Sequence, residues 1–199
     1  SEALGNKNIM VSDECDACNE KFGNGIGPAL IELLNINRTY VGVIGKNGHP
    51  KVTYKNGSMS HDGSMLLMQG RSINNSGDGK LSIALGTSQP FALVDCYKAL
   101  CKFALSVIDE SELRHLSRTI EWIKSNSQAH TPLPRVSSCV LPFPKKSPEI
   151  CIYTRRTDED RQLPHVVCEF RLGPYVYVYM LPFSDRDIDV SNDFFNGQT

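Results

Sequence analysis

The run PFALVDCYKALCKFALSVI, residues 90–108, constrains the fold more than any other stretch. Its apolar residues Leu93, Val94, Tyr97, Leu100, Cys101, Ala104, Leu105 and Ile108 recur at the three- and four-residue spacing of an α-helix. A helix with so broad an apolar face must bury it against another layer, so the rest of the chain has to provide one. The following run, DESELRHLSRTIEWIKSN, predicts a second, antiparallel helix. Asp109 or Ser111 caps it, acids fill its first turn, and Leu113, Leu116, Ile120 and Ile123 face the core. Trp122, on the same helix, is expected in the core or at an interface.

The other layer is β-rich. TYVGVIGKNGHPKVTY predicts a strand, a tight turn at Asn47-Gly48 and a second strand. SMLLMQGR and KLSIALG extend that sheet, with SINNSGDG as a loop between them. Beyond Pro132 and Pro134, the segments RVSSCVLPF, EICIYTRR, HVVCEFRL and YVYVYMLPF predict four strands, with Gly173-Pro174 as the turn between the last two. In the last of these, alternation puts Tyr175, Tyr177 and Tyr179 on one face, most simply packed under the long helix. Ahead of all this, residues 14–35 predict a helix pair broken at GNGIG, with Pro28 in a first turn and Leu30, Leu33 and Leu34 as its apolar stripe. The expected class is α+β.

Composition narrows the functional classes. The 199 residues are 40% apolar and 22% charged, enough apolar material to close a core. A net charge of −1 gives no whole-chain attraction to nucleic acid, so any such surface has to be a local patch. Seven cysteines, an odd number set mostly in apolar surroundings, suit a reducing compartment, and a cytoplasmic location is expected. No run has the apolar length of a membrane helix, and no basic, then apolar leader opens the chain. Ser1 is not a natural initiator, so residues upstream of it are expected.

Cys15 and Cys18 form the one pair with metal-ligand spacing. A Cys-x-x-Cys turn entering a helix holds two thiolates close enough to share one Zn²⁺, which takes four ligands in a tetrahedron. A redox pair would call for a thioredoxin-like βαβ setting, which this sequence does not predict. Half of a zinc site is therefore favoured, its other half expected ahead of Ser1.

The surrounding stretch, LGNKNIMVSDECDACNEKFG, resembles the HNH endonucleases of the ββα-metal class, in the branch whose finger closes with Cys-x-x-Cys-Asn. Residues 2–5 resemble the tail of that branch's His-containing motif, Asn8 its central asparagine, and Cys15, Cys18 and Asn19 its closing element. Asn8 stands further from Cys15 than in the commonest family spacing. The resemblance implies a structural zinc on Cys15 and Cys18, a catalytic Mg²⁺ or Mn²⁺ with Asn19 as a ligand, and a positioning role for Asn8. It places the family's general-base His just upstream of Ser1, so that this chain by itself is expected to be inactive. Such a site hydrolyses phosphodiester bonds in DNA, the divalent cation polarising the phosphate while a neutral His deprotonates water. Residues 96–123 and the closing YVYVYMLPF also resemble the region that follows this finger in some bacterial proteins.

The remaining candidates are weaker in chemistry. His49, His61, His115, His130 and His165 have no partner at metal-ligand spacing and are expected at the surface or in turns. SMSHDGS reads as a loop, since hydrolytic triads converge from distant positions. RRTDEDR reads as a solvated loop, with Arg155 and Arg156, joined by Lys21 and by Lys145 and Lys146, as candidate phosphate contacts. The expected organisation is the C-terminal part of an HNH finger over residues 1–38, then an α+β domain over 39–199 with hairpins at 39–86, a helical pair at 91–126 and strands at 135–183. That larger domain recognises substrate, supplies a homodimer surface or senses a signal. The competing reading is a non-catalytic nucleic-acid- or protein-binding module with a degenerate finger, regulatory in bacterial defence.

Overall fold

Breaks in the helical pattern divide the first part of the chain into three short helices. The structure, a computed structural model, describes residues 16–45, 48–70, 73–75, 81–83, 90–125 and 133–187. α1 (Asp16–Asn24) ends where Gly25 N–H bonds to Lys21 O, and α2 (Gly27–Leu33) carries Pro28 in its first turn, where a missing N–H costs nothing. α3 (Asn35–Tyr40) then occupies residues expected to start a strand. Thr39 Oγ1 bonds back to Asn35 O at 2.9 Å, a local satisfaction that suits this β-branched residue to a helix. Gly42 ends the helix in the left-handed region (φ 67°). Its N–H reaches Thr39 O and that of Val43 reaches Arg38 O, the paired bonds of a Schellman cap. A Cβ at Gly42 would lie 2.7 Å from the His61 ring, so both geometry and space require glycine.

Gly45 and Gly48 then bridge a tight turn; Asn47 lies outside the described residues. β1 (Lys51–Tyr54), β2 (Gly57–His61) and β3 (Leu66–Gly70) form an antiparallel meander in register Val52↔Met59↔Met68. Ser58–His61 of the expected SMSHDGS loop therefore lie in β2, and only its end turns: Asp62 Oδ1 accepts from Met65 N and Ser64 N, and these bonds hold its carboxyl down to about 2. β4 (Ile73–Asn75) pairs with β5 (Leu81–Ile83), so part of the expected SINNSGDG loop is strand.

α4 (Leu93–Leu105) is the predicted long helix, with Tyr97, Leu100, Cys101 and Ala104 buried and Leu93 left exposed at its start. The expected second helix is two: α5 (Glu110–Leu113), capped by Asp109 through Ser111 N, and α6 (Ser117–Lys124). Leu116 lies between them with φ −116°, outside helical geometry, and its side chain is fully buried. The kink lets both Leu116 and Ile123 reach one core.

The four expected C-terminal strands are two long ones, β6 (Ser137–Thr154) and β7 (Val166–Met180), in an antiparallel ribbon. Register shifts fall between Val140 and Lys145 and between Lys145 and Glu149, where Pro142, Pro144 and Pro148 cannot donate to a ladder. Gly173 pairs with Lys145 there at φ 60°, so Gly173-Pro174 bends one continuous strand instead of turning the chain back.

One apolar core joins these elements. Ile26, Leu30 and Leu34 from the first helices meet Tyr97, Leu100 and Ala104 of α4, Leu116, Ile123 and the inner face of β7. Tyr97 Oη of α4 donates to Met180 O at 2.7 Å and Tyr179 Oη to Leu100 O at 2.8 Å, so Tyr179 packs under α4, whereas Tyr177 Oη accepts from Asn37 Nδ2 of α3. The expected division after residue 38 runs through α3, and the core extends across it. The described architecture is α+β, and no described helix is long and apolar enough to cross a membrane.

Candidate functional site

Helix α1 begins at Asp16, so the Cys-x-x-Cys-Asn segment enters it directly. Asn19 is exposed there. Asn8, Cys15 and the side chain of Cys18 lie outside the described residues, as does His130. Among the described residues no group of three His, Cys, Asp or Glu side chains could hold a metal. Lys21, expected to contact phosphate, sends its Nζ to Lys124 O at 3.0 Å, where α6 ends and its carbonyls lack helical partners. Phe22 packs against the core with Lys102 Nζ 5.2 Å from its ring centroid. α1 is thus tied to the helical body on one side and presents Asn19 on another.

Arg155 and Arg156, grouped as phosphate contacts, separate in space. Arg156 is exposed. Arg155 is buried, and its guanidinium donates to Arg161 O at 3.0 Å, Leu163 O at 2.7 Å and Arg186 O at 2.6 Å. It closes the 155–163 loop onto the segment after β7, which turns it away from any phosphate. Arg156, Thr157 and residues 159–163 around it are exposed, as the mixed charges led one to expect.

Beside Arg155 lies a cluster that the sequence reading missed. His165, expected at the surface, is fully buried just ahead of β7. Its Nδ1 is 2.7 Å from Ser184 Oγ and its Nε2 2.7 Å from Glu112 Oε2 of α5. Its backbone N–H donates to Asp187 Oδ1 at 2.6 Å, and the His115 ring stands edge-on at 5.6 Å, itself bonded through Nδ1 to Asp185 Oδ1 at 2.8 Å. Desolvation pushes the His165 pKa below 6.5 despite the Glu112 carboxylate, and pushes Asp187 above its ordinary 3.8. Serine, histidine and glutamate are the residue types of a hydrolytic triad, but a nucleophile must reach substrate, and here the ring has no exposed surface and Ser184 is 6% exposed. The arrangement fixes chain segments in place. Only the juxtaposition of positions 112, 165 and 184 reveals it, and no local pattern marks those positions in the sequence.

Elsewhere, the His49 and His61 rings lie 5.5 Å apart and tilted at 34° beside the meander, with His61 Nδ1 accepting from Gly63 N at 2.9 Å. A shallow apolar groove along β6 is lined by Val107, Pro148, Glu149, Ile150, Cys151 and Ile152. Comparison of the chain with protein-family models, with curated proteins and with solved structures found no match.

Proposed function

We propose that the chain belongs to a metal-dependent HNH endonuclease that hydrolyses phosphodiester bonds in DNA, with residues around α1 forming the closing part of its finger. One observation carries this reading: Cys15, Cys18 and Asn19 stand in the family's order at the entrance to α1, with Asn19 exposed. Cys15 and Cys18 would hold the structural zinc, and Asn19 would offer its amide oxygen to Mg²⁺ or Mn²⁺, hard cations that favour oxygen ligands. The bound divalent cation would supply charge stabilisation at the scissile phosphate. Asn8 would position the catalytic loop. The anchoring of Phe22 and Lys21 supports a finger helix held rigidly against the α4–α6 body, which is how a binding site keeps its geometry.

A second reading, a binding module with a degenerate finger, is favoured by the same anchoring, which uses Lys21, the one cation of α1, for packing. Plasmid nicking in Mg²⁺ or Mn²⁺ separates the two. The protein with any residues its gene encodes ahead of Ser1 is expected to nick supercoiled DNA, and Asn19→Ala to lose at least about a hundredfold in rate. Equal nicking by Asn19→Ala would remove Asn19 from the site, and zinc retained without cleavage would favour the binding module.

A further inference from the structure

For a neutral ring, which its burial favours, donor and acceptor counting fixes the tautomer of His165. Ser184 Oγ accepts from Arg186 N at 3.2 Å, and an ionised Glu112 can only accept. Nε2 therefore carries the hydrogen that Glu112 receives, and Nδ1 accepts the Ser184 hydroxyl. The ring is neutral in this arrangement.

The same histidine sits where residues 181–187 are held to the body. Leu181 N donates to Val166 O and Asp185 N to His115 O, each at 3.0 Å, and Thr119 Oγ1 donates to Pro182 O. Arg155 grips Arg186 O, and Asp187 takes the His165 N–H. Between these anchors Phe183 is held at φ 66°, a left-handed conformation unfavourable for a bulky side chain, with its ring 5.5 Å from Trp122. The strain is relieved if the anchors let go.

We propose that His165 is the pin of an acid-released latch: a proton arriving at Nδ1 reverses the Ser184 hydrogen bond and frees residues 182–187 while the α4 core, with Leu181 in it, stays folded. A protonated Nδ1 must donate. Ser184 Oγ then receives two N–H groups, and its own hydrogen has lost its buried acceptor.

The charged groups around the ring pull in both directions. Glu112 from α5 and Asp187 from the held segment favour the imidazolium; burial and Arg186 oppose it, and burial wins. His115 faces the ring from beyond α5, and Arg155 reaches the same segment from the end of β6. The closed state thus binds the proton less well than the open one. Its advantage is complete above pH 6.5 and is lost as pH falls below that value. Asp187 acts with the opposite sign, since its raised pKa favours the closed state as pH falls towards 3.8.

Hydrogen exchange, corrected for intrinsic rates, tests the latch on the full chain. Between about pH 7.5 and about pH 5.5, protection of the Asp185 and Asp187 amides is expected to fall by up to about tenfold, the ceiling for an open-state histidine near 6.5. Residues 96–105 of α4 should be unchanged, and Trp122 emission should move to the red over the same range. His165→Gln should abolish the response. Glu112→Gln, which keeps an acceptor but removes the favourable carboxylate, should bring it closer to the ceiling. A change below about twofold, an equal loss of protection in α4, or a response persisting in His165→Gln overturns the latch. Should His165→Gln not fold, a response in Glu112→Gln smaller than in the wild type overturns it equally.

Discussion

Arg38 and Arg155 are both 8% exposed, yet their surroundings assign them opposite effects on stability. Arg155 spends its guanidinium on three carbonyl oxygens, two of them in the loop it closes. Arg155→Met leaves those acceptors buried and unpaired and is expected to cost about 3 kcal/mol or more. The Nε of each is buried without a partner, but Arg38, on α3, has no such carbonyl acceptors among the described residues, and desolvation lowers its pKa. Arg38→Met removes a buried charge that nothing described compensates, and is expected to be neutral or to stabilise by about 1 kcal/mol. Urea denaturation of the two variants checks the contrast. Loss of stability in both would show that Arg38 has a partner its burial conceals. Neither outcome could be argued from the residue type, because both arginines are ordinary in sequence.

Among the elements, the ribbon of β6 and β7 departs furthest from its sequence pattern. Gly173 looked like a turn because Gly-Pro usually interrupts strands, but the extra residues of the register shifts lie in the proline-rich stretch of β6 opposite, and Gly173 lets β7 bend past them at φ 60°. A Cβ there would stand 2.3 Å from Val41 Cγ1, where the chain leaves α3. Gly173→Ala therefore combines backbone strain with overpacking and is expected to destabilise by about 2 kcal/mol or more, read as a lower thermal midpoint. An unchanged midpoint would mean that the chain after α3 yields without cost. The helix caps behaved differently: Asp109 caps α5 as its local sequence predicts, because a cap is made within one turn of chain.

At the scale of the molecule, the first helices and the helical body share a core. Leu34 is 1% exposed within it, and Leu34→Ala is expected to cost about 2–5 kcal/mol. Far-ultraviolet circular dichroism and Trp122 fluorescence should report this loss as one shifted transition; two separated transitions would restore an independent unit before residue 39. How much of this was legible follows from the range of the interactions. Periodicity marked α4, the helix break before it, the outer strands β1 and β3 of the meander and the β-rich end, because apolar spacing and turn residues act over a few positions; β2 reads as a loop in sequence. It could not show that α3 would run through Thr39 and Tyr40 to a glycine cap, nor that prolines on β6 would be absorbed by bulges. The candidate metal residues around α1 were read from a local motif, and no interaction among the described residues substitutes for that reading. The burial of Arg155 and the meeting of Glu112, His165 and Ser184 belong to tertiary structure alone. Their partners are far apart along the chain, and only folding determines which polar groups leave water together and must satisfy one another.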